Sequence, residues 1–182
     1  AVSVAVADAP VIGTATSGRE SATLAFTPGA SNGGYTVQDY LISAYDSLTN
    51  VRFNTFTATS SPATLAPIPA GISAYFKVQA RTPNGYSTQS GASNAVNILA
   101  PFAAPGAPVG VALSGGVGTA SVTYTAPAIN GGSTITSYRS TLYRVSDGSV
   151  VDVVSGTGTL THTGLTGGYD VYARVEAANV PA

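Results

Sequence analysis

The sequence repeats itself with a register of 98 residues. Ala22-Thr23-Leu24-Ala25-Phe26-Thr27-Pro28 returns as Ala120-Ser121-Val122-Thr123-Tyr124-Thr125-Ala126-Pro127. Asn32-Gly33-Gly34 returns as Asn130-Gly131-Gly132, Tyr40 as Tyr138, Tyr45 as Tyr143 and Pro10 as Pro108. Such a unit is too long for a solenoid repeat, which cannot bury its own core. It is the size of an independent β-sandwich. The 182 residues therefore read as two copies of one small domain. Tandem copies suit a spacer, scaffold or adhesive array better than a catalyst.

No window sustains a helical apolar period, and Gly and Pro interrupt the chain throughout. Short alternating runs between turn residues predict an all-β fold. In the first repeat the runs are 22–27, 40–45, 51–57 and 74–82; in the second they are 120–125, 137–145, 149–155 and 171–178. Asp147-Gly148, between Val145 and Val150, predicts a two-residue type I′ hairpin. Asn84-Gly85 predicts a second turn. Residues 101–108, Pro-Phe-Ala-Ala-Pro-Gly-Ala-Pro, read as a short, semi-rigid linker.

The order of these motifs resembles fibronectin type III domains, twice over, and particularly the bacterial and phage-borne kind. The first repeat supplies Pro10, Ala22 to Pro28, Asn32-Gly33-Gly34, Val37, Tyr40, Ile68, Phe76-Lys77-Val78-Gln79-Ala80 and Ser93-Asn94-Ala95-Val96. The second supplies Pro108, Ala120 to Pro127, Asn130-Gly131-Gly132, Ile135, Tyr138, Leu165 and Ala173-Arg174-Val175-Glu176-Ala177-Ala178-Asn179. The resemblance implies two tandem immunoglobulin-like (fibronectin type III) β-sandwiches joined by a Pro-rich linker. It has departures. The family's corner tyrosine is replaced by Ala74 and Val171, its strand B tryptophan is absent, and no Arg-Gly-Asp occurs.

The ends are out of phase with the domains. Residues 10–100 form the first domain and 101–182 the second, which stops before a strand G. Ala1-Val2-Ser3-Val4 matches Ala95-Val96-Asn97-Ile98, so 1–9 reads as an orphan strand G. It would belong to a preceding domain, or act as a donor strand for the second repeat of another copy. No methionine occurs, as expected of a processed chain or of a piece of a longer one.

Composition narrows the function. Charged residues are only 8% and the net charge is −1, which gives no electrostatic footprint for nucleic acid. Hydrophobic residues reach 44%, which argues against disorder. No apolar run is long enough for a helical membrane span, so no membrane insertion is expected. No segment of these residues has the layout of a secretion signal. There is no cysteine, hence no disulfide and no thiolate zinc site. The low charge and the Thr, Ser, Ala, Gly and Val bias suggest an extracellular, cell-surface or virion setting.

Catalytic constellations are weak. His162 is the only histidine and no G-x-S-x-G elbow accompanies it, so it is expected to be a solvent-facing strand E residue. The run from Gly13 to Glu20 has the glycine spacing of a phosphate loop, but Arg19-Glu20 stands where Lys and Ser/Thr are needed. Gly115-Gly116-Val117-Gly118 reads as the equivalent A–B turn. The eight carboxylates form no EF-hand run. A calcium ion between Asp8 or Asp39 and neighbouring carbonyls at the domain junction is the one metal site left open. No cofactor and no enzyme activity are expected.

One surface pattern recurs. Strand alternation turns Tyr40, Ile42 and Ala44 inward and Leu41, Ser43 and Tyr45 outward. It turns Phe76, Val78 and Ala80 inward and Tyr75, Lys77, Gln79 and Arg81 outward. The second repeat places Tyr143 and Tyr172 likewise, with Arg139, Arg174 and Glu176 alongside. Each domain is expected to show a tyrosine pair with basic neighbours on one sheet face. Such a face suits a protein subunit, a neighbouring domain of the array or a surface glycan, and it also suits plain cross-strand stabilisation. The expected role is a non-catalytic structural, spacer or adhesion segment of an extracellular or virion-associated (tail, fibre or capsid-decorating) protein. The alternative is a carbohydrate-binding or spacer module of a secreted polysaccharide-degrading enzyme.

Overall fold

The computed structural model describes residues 5–180, and the chain divides into two compact units between Pro101 and Phe102. All regular elements are strands. The first unit contains β1 (Val11–Ser17), β2 (Ala22–Thr27), β3 (Asp39–Asp46), β4 (Arg52–Ala58), β5 (Ala63–Leu65), β6 (Ser73–Thr82), β7 (Gly85–Tyr86) and β8 (Val96–Asn97). One sheet has the order β1-β2-β5, the other β4-β3-β6-β7, with β8 also on β6. Alternation explains the pairing of faces. Leu24, Phe26 and Leu65 from one sheet meet Ile42, Phe76 and Val78 from the other in a fully covered core.

The second unit contains β9 (Val109–Gly116), β10 (Thr119–Thr125), β11 (Ile135–Arg144), β12 (Val150–Gly156), β13 (Leu160–Thr163) and β14 (Val171–Asn179). Its sheets have the orders β13-β10-β9 and β12-β11-β14. Both units are immunoglobulin-like sandwiches; the first has the full fibronectin type III strand arrangement, and the described residues of the second show it without a strand on the outer edge of β14. The strands expected from alternation are present. The first strand of each unit and the short β5 and β13 add to them.

The Asn-Gly-Gly motif closes the same loop in each unit. The first glycine lies where a Cβ would stand 2.2 Å from the Ala5 carbonyl oxygen, or 1.9 Å from that of Ala103. Only glycine admits that backbone approach. The asparagine Oδ1 accepts the N–H of the second glycine, at 3.1 Å from Gly34 and 2.9 Å from Gly132. Asp8 N–H donates to the Ser31 carbonyl and Gly106 N–H to that of Ile129, both at 2.8 Å. Residues 5–8 and 103–106 are therefore equivalent lead-in segments, each pinned to its own unit. Part of the expected linker belongs to the second sandwich in this way, and part of the expected orphan strand to the first. Residues 1–4, which carry the match to strand G, lie outside the described residues.

The hairpin at Asp147-Gly148 corrects one expectation. It is not a two-residue type I′ turn. Gly148 has a positive φ of 69° and Asp147 does not. Arg144 N–H donates to the Ser149 carbonyl and Gly148 N–H to the Arg144 carbonyl, so the loop is longer. The Asp147 carboxylate accepts the Ser149 N–H at 2.9 Å and thereby shapes the turn from its side chain. The first unit repeats the design, with Asp46 accepting from Leu48 and Thr49 and Asn50 at the positive-φ position. These hydrogen bonds hold the Asp46 and Asp147 carboxyls below the usual carboxylate range.

The two units differ most at strand G. In the first, Ser87, Ser90 and Ser93 line the outer edge of β6. Their hydroxyls accept the N–H groups of Ala80, Val78 and Phe76 at 2.9, 2.9 and 3.0 Å. Their own N–H groups donate to the carbonyls of the same three residues. Three residues of the edge segment thus cover two of β6, and the hydroxyl bridges the mismatch. Asn94 then grips β1, donating to the Ala15 carbonyl and accepting its N–H. Among the described residues of the second unit nothing pairs with the outer edge of β14. Leu113 is 36% exposed there, whereas its counterpart Ala15 is 2% exposed.

Candidate functional site

Two constellations carry the side chains that could act on another molecule. The first is a pair of stacked tyrosines in each unit. Tyr45 on β3 faces Tyr75 on β6 directly across the ladder, with ring centroids 5.1 Å apart and planes 8° from parallel. Tyr143 on β11 faces Tyr172 on β14 in the same way, at 5.2 Å and 16°. The Lys77 ammonium lies 5.6 Å from the Tyr45 centroid. Arg174 lies 5.6 Å from Tyr143 and 5.9 Å from Tyr172. Gln89 donates to the Tyr45 hydroxyl at 3.2 Å. The sheet register alone produces these clusters, because directly opposed residues on one face touch.

Arg81 and Arg139 stand apart from the tyrosines. Arg81 pairs with Asp39 through two hydrogen bonds, and that carboxylate raises its pKa. Arg139 donates from Nε to Glu176 at 3.0 Å. Both pairs lie on the same outward faces as the stacks, two or more rungs along the ladder. Ser43 is outward by alternation, yet only 1% exposed, because its neighbours on β4 and β6 cover it. Sequence reading missed Tyr169, whose ring is covered by the Arg144 guanidinium at 4.5 Å. Tyr169 lies outside the alternating runs, so parity could not place it.

Asp39 and Asp8 are engaged within the first unit. Asp39 is held by Arg81, and Asp8 accepts the Ser31 N–H at 3.0 Å. Among the described residues no three His, Cys, Asp or Glu side chains gather into a metal-sized cluster.

The second constellation overturns the expectation for His162. It is not solvent-facing but fully buried, at 0% exposure. Its Nδ1 lies 2.9 Å from Asp152 Oδ2 and its Nε2 lies 3.0 Å from Ser140 Oγ. The physical reason is parity: Leu160 and His162 both point inward from β13, and both ring nitrogens find partners on the opposite sheet. Burying an imidazole is tolerable when each polar atom is satisfied. The first unit has Leu65, Ile42 and Asn54 at the equivalent positions, by the matching strand registers. A hydrophobic contact between sheets in one repeat is thus a polar strut in the other.

The Asp152–His162–Ser140 chain has the connectivity of a hydrolytic triad but not its surroundings. Ser140 is 0% exposed. It sits in the middle of central strand β11, with β12 on one side and β14 on the other. Its backbone groups belong to those ladders, so no N–H is aimed at a developing oxyanion. No carbonyl can approach its hydroxyl without opening the core.

No family model and no curated protein matches this sequence. Solved structures similar to the chain include a three-domain titin segment, at 23% identity and a TM-score of 0.48. That similarity covers 52% of this chain and 32% of the titin chain, so this chain spans about a third of it. The FN1–FN3 segment of chicken CNTN1 is similar over 96% of this chain and 62% of its own, at 14% identity and a TM-score of 0.45. A two-domain fibronectin type III segment of chicken tenascin is similar over 95% and 93%, at 16% identity and a TM-score of 0.38.

Proposed function

We propose that this chain is a non-catalytic structural segment that spaces or displays surfaces, as part of an extracellular or virion-associated protein of the bacterial or phage kind. One observation carries the reading. The same stacked tyrosine pair, with a cation beside it, recurs on the same sheet face of both sandwiches. A repeated outward face is what an array needs to meet protein subunits or neighbouring domains along its length. The low charge and the small polar surface residues support the exported setting.

The rival role, a carbohydrate-binding module, fits the stacks less well. A sugar ring lies against an open aromatic face. Here each ring turns one face to its partner, and a cation lies beside the pair. Affinity electrophoresis through gels containing soluble cellulose, xylan or lipopolysaccharide separates the two. The proposal expects unchanged mobility in all three. Retardation that disappears in the Tyr45→Ala, Tyr143→Ala double variant would establish glycan binding instead. The same substitutions should each lower stability by about 1–2 kcal/mol, from the lost aromatic pair and cation contact. Urea unfolding of each variant measures that loss.

A further inference from the structure

The basic side chains divide into those with an acceptor and those beside a tyrosine stack. Arg81, Arg139 and Arg144 pair with Asp39, Glu176 and Asp147. Arg19 donates to the Ala100 carbonyl. The other three are Arg52, Lys77 and Arg174. Among the described residues their cationic groups have neither a carboxylate nor a hydrogen-bond acceptor. Register puts all three on a stacked rung or the next one: Arg52 lies opposite Tyr45, Lys77 opposite Ser43 and Arg174 opposite Thr141. Arg52 and Arg174 are exposed and Lys77 is half-buried. The acidic residues on these faces, Asp39 and Glu176, are already held by Arg81 and Arg139. The Asp46 and Asp147 carboxylates in the adjoining hairpins accept backbone N–H groups of their own turns. Each face thus carries positive charge without an internal counter-charge, in a chain of net charge −1.

We infer that each tyrosine face binds an acidic, extended segment of a partner protein, with a carboxylate two residues from an aromatic or aliphatic side chain. The inference rests on the reading of these faces as partner surfaces. Tyr75 and Lys77 are two residues apart on β6, and Tyr172 and Arg174 on β14, a step of roughly 7 Å. An extended segment repeats that step. One of its carboxylates meets the cation while the side chain two residues on lies against the tyrosines. The cation is already held over a ring, and its N–H groups stay free to donate to a carboxylate. Composition favours a protein over a polyanionic glycan or nucleic acid. A polyanion is held by many cations at once, and the second face offers Arg174 alone without a counter-charge. Beside it Val150 and Val153, opposite Tyr143 and Thr141, are 58% and 47% exposed. A hydrated polyanion leaves that apolar margin uncovered, whereas peptide side chains bury it, and tyrosine with arginine is the composition of a protein-binding hot spot.

The test uses the full chain, labelled for NMR, and a synthetic peptide repeating Ser-Glu-Ser-Tyr. Saturable shifts should centre on Tyr45, Tyr75, Tyr143 and Tyr172, and the affinity should fall as ionic strength rises. The Arg52→Gln, Lys77→Gln, Arg174→Gln triple variant should bind at least about ten-fold more weakly, with its amide spectrum unchanged away from these rungs. On the unaltered protein, a peptide with glutamine in place of glutamate should lose at least about ten-fold as well. Arg139→Gln with Glu176→Gln, which removes an internally satisfied pair, should bind the acidic peptide as tightly as the parent. No saturable shift at millimolar peptide would overturn the acidic partner, while the display reading, tested by the glycan gels, would stand. Equal binding of the glutamine peptide, or undiminished binding by the triple variant, would overturn it too. Heparin producing the same shifts at a lower concentration would overturn it in favour of a sulfated glycan.

Discussion

His162→Ala should lower the melting temperature of the second unit by about 10–30 °C and leave that of the first unit in place. The substitution removes a fully buried ring that ties β13 to the opposite sheet through Ser140 and Asp152. It leaves a cavity and orphans the Ser140 hydroxyl, changes that together cost about 2–5 kcal/mol. In a domain of this size each kcal/mol moves the midpoint by about 4–8 °C. The surrounding core is small: its buried apolar residues are Ala120, Val122, Leu142, Leu160 and Val175. Calorimetry, with each transition assigned through unit-specific amide signals, measures the shift. A fall of less than about 3 °C would show that the strut does not hold the sandwich together. The first repeat supplies the control. His162→Leu with Ser140→Ile installs the Leu65 and Ile42 pair of the first unit. The double variant should be more stable than either single variant, since each single change leaves an unmatched partner.

The second large effect is in hydrogen exchange. Phe76, Val78 and Ala80 donate their amide protons to serine hydroxyls along the edge of β6. Ala173, Val175 and Ala177 occupy the same positions on β14, where nothing among the described residues accepts them. In a verified monomer the three β14 amides should exchange about a thousand-fold or more faster than the three on β6. The alternate amides of β14, which face β11, should be slower than their neighbours. Equal protection on β6 and β14 would mean that the edge of β14 is covered, and the equivalence drawn between the two repeats would be wrong at that point.

Much of this fold is legible in the sequence because alternation has a period of two and nothing else imitates it. Ala74, Phe76, Val78 and Ala80 announce a strand with one buried face, and all four are buried. Direct opposition across the β3–β6 ladder then brings Tyr45 to Tyr75. The Asn-Gly-Gly motif is legible as a turn, but its reason is not. The first glycine is demanded by a carbonyl from the lead-in segment, 28 residues earlier in both units. The serine ladder is hidden because its step of three residues obeys neither the strand nor the helix period. His162 was readable in part. Leu160-Thr161-His162-Thr163 alternates, and parity with Leu160 turns the histidine inward. Its partners lie 10 and 22 residues away on strands of the other sheet, and no local pattern specifies that register.

These sandwiches are proposed to act through their surfaces and not through chemistry, although one of them contains an Asp–His–Ser chain. Treatment of the folded protein with diisopropyl fluorophosphate tests it most directly, because the reagent phosphorylates an activated, accessible serine. Intact mass and peptide mapping should show Ser140 unmodified after prolonged exposure, as its complete burial requires. A stoichiometric adduct on Ser140 that is lost in the His162→Gln variant would contradict the account.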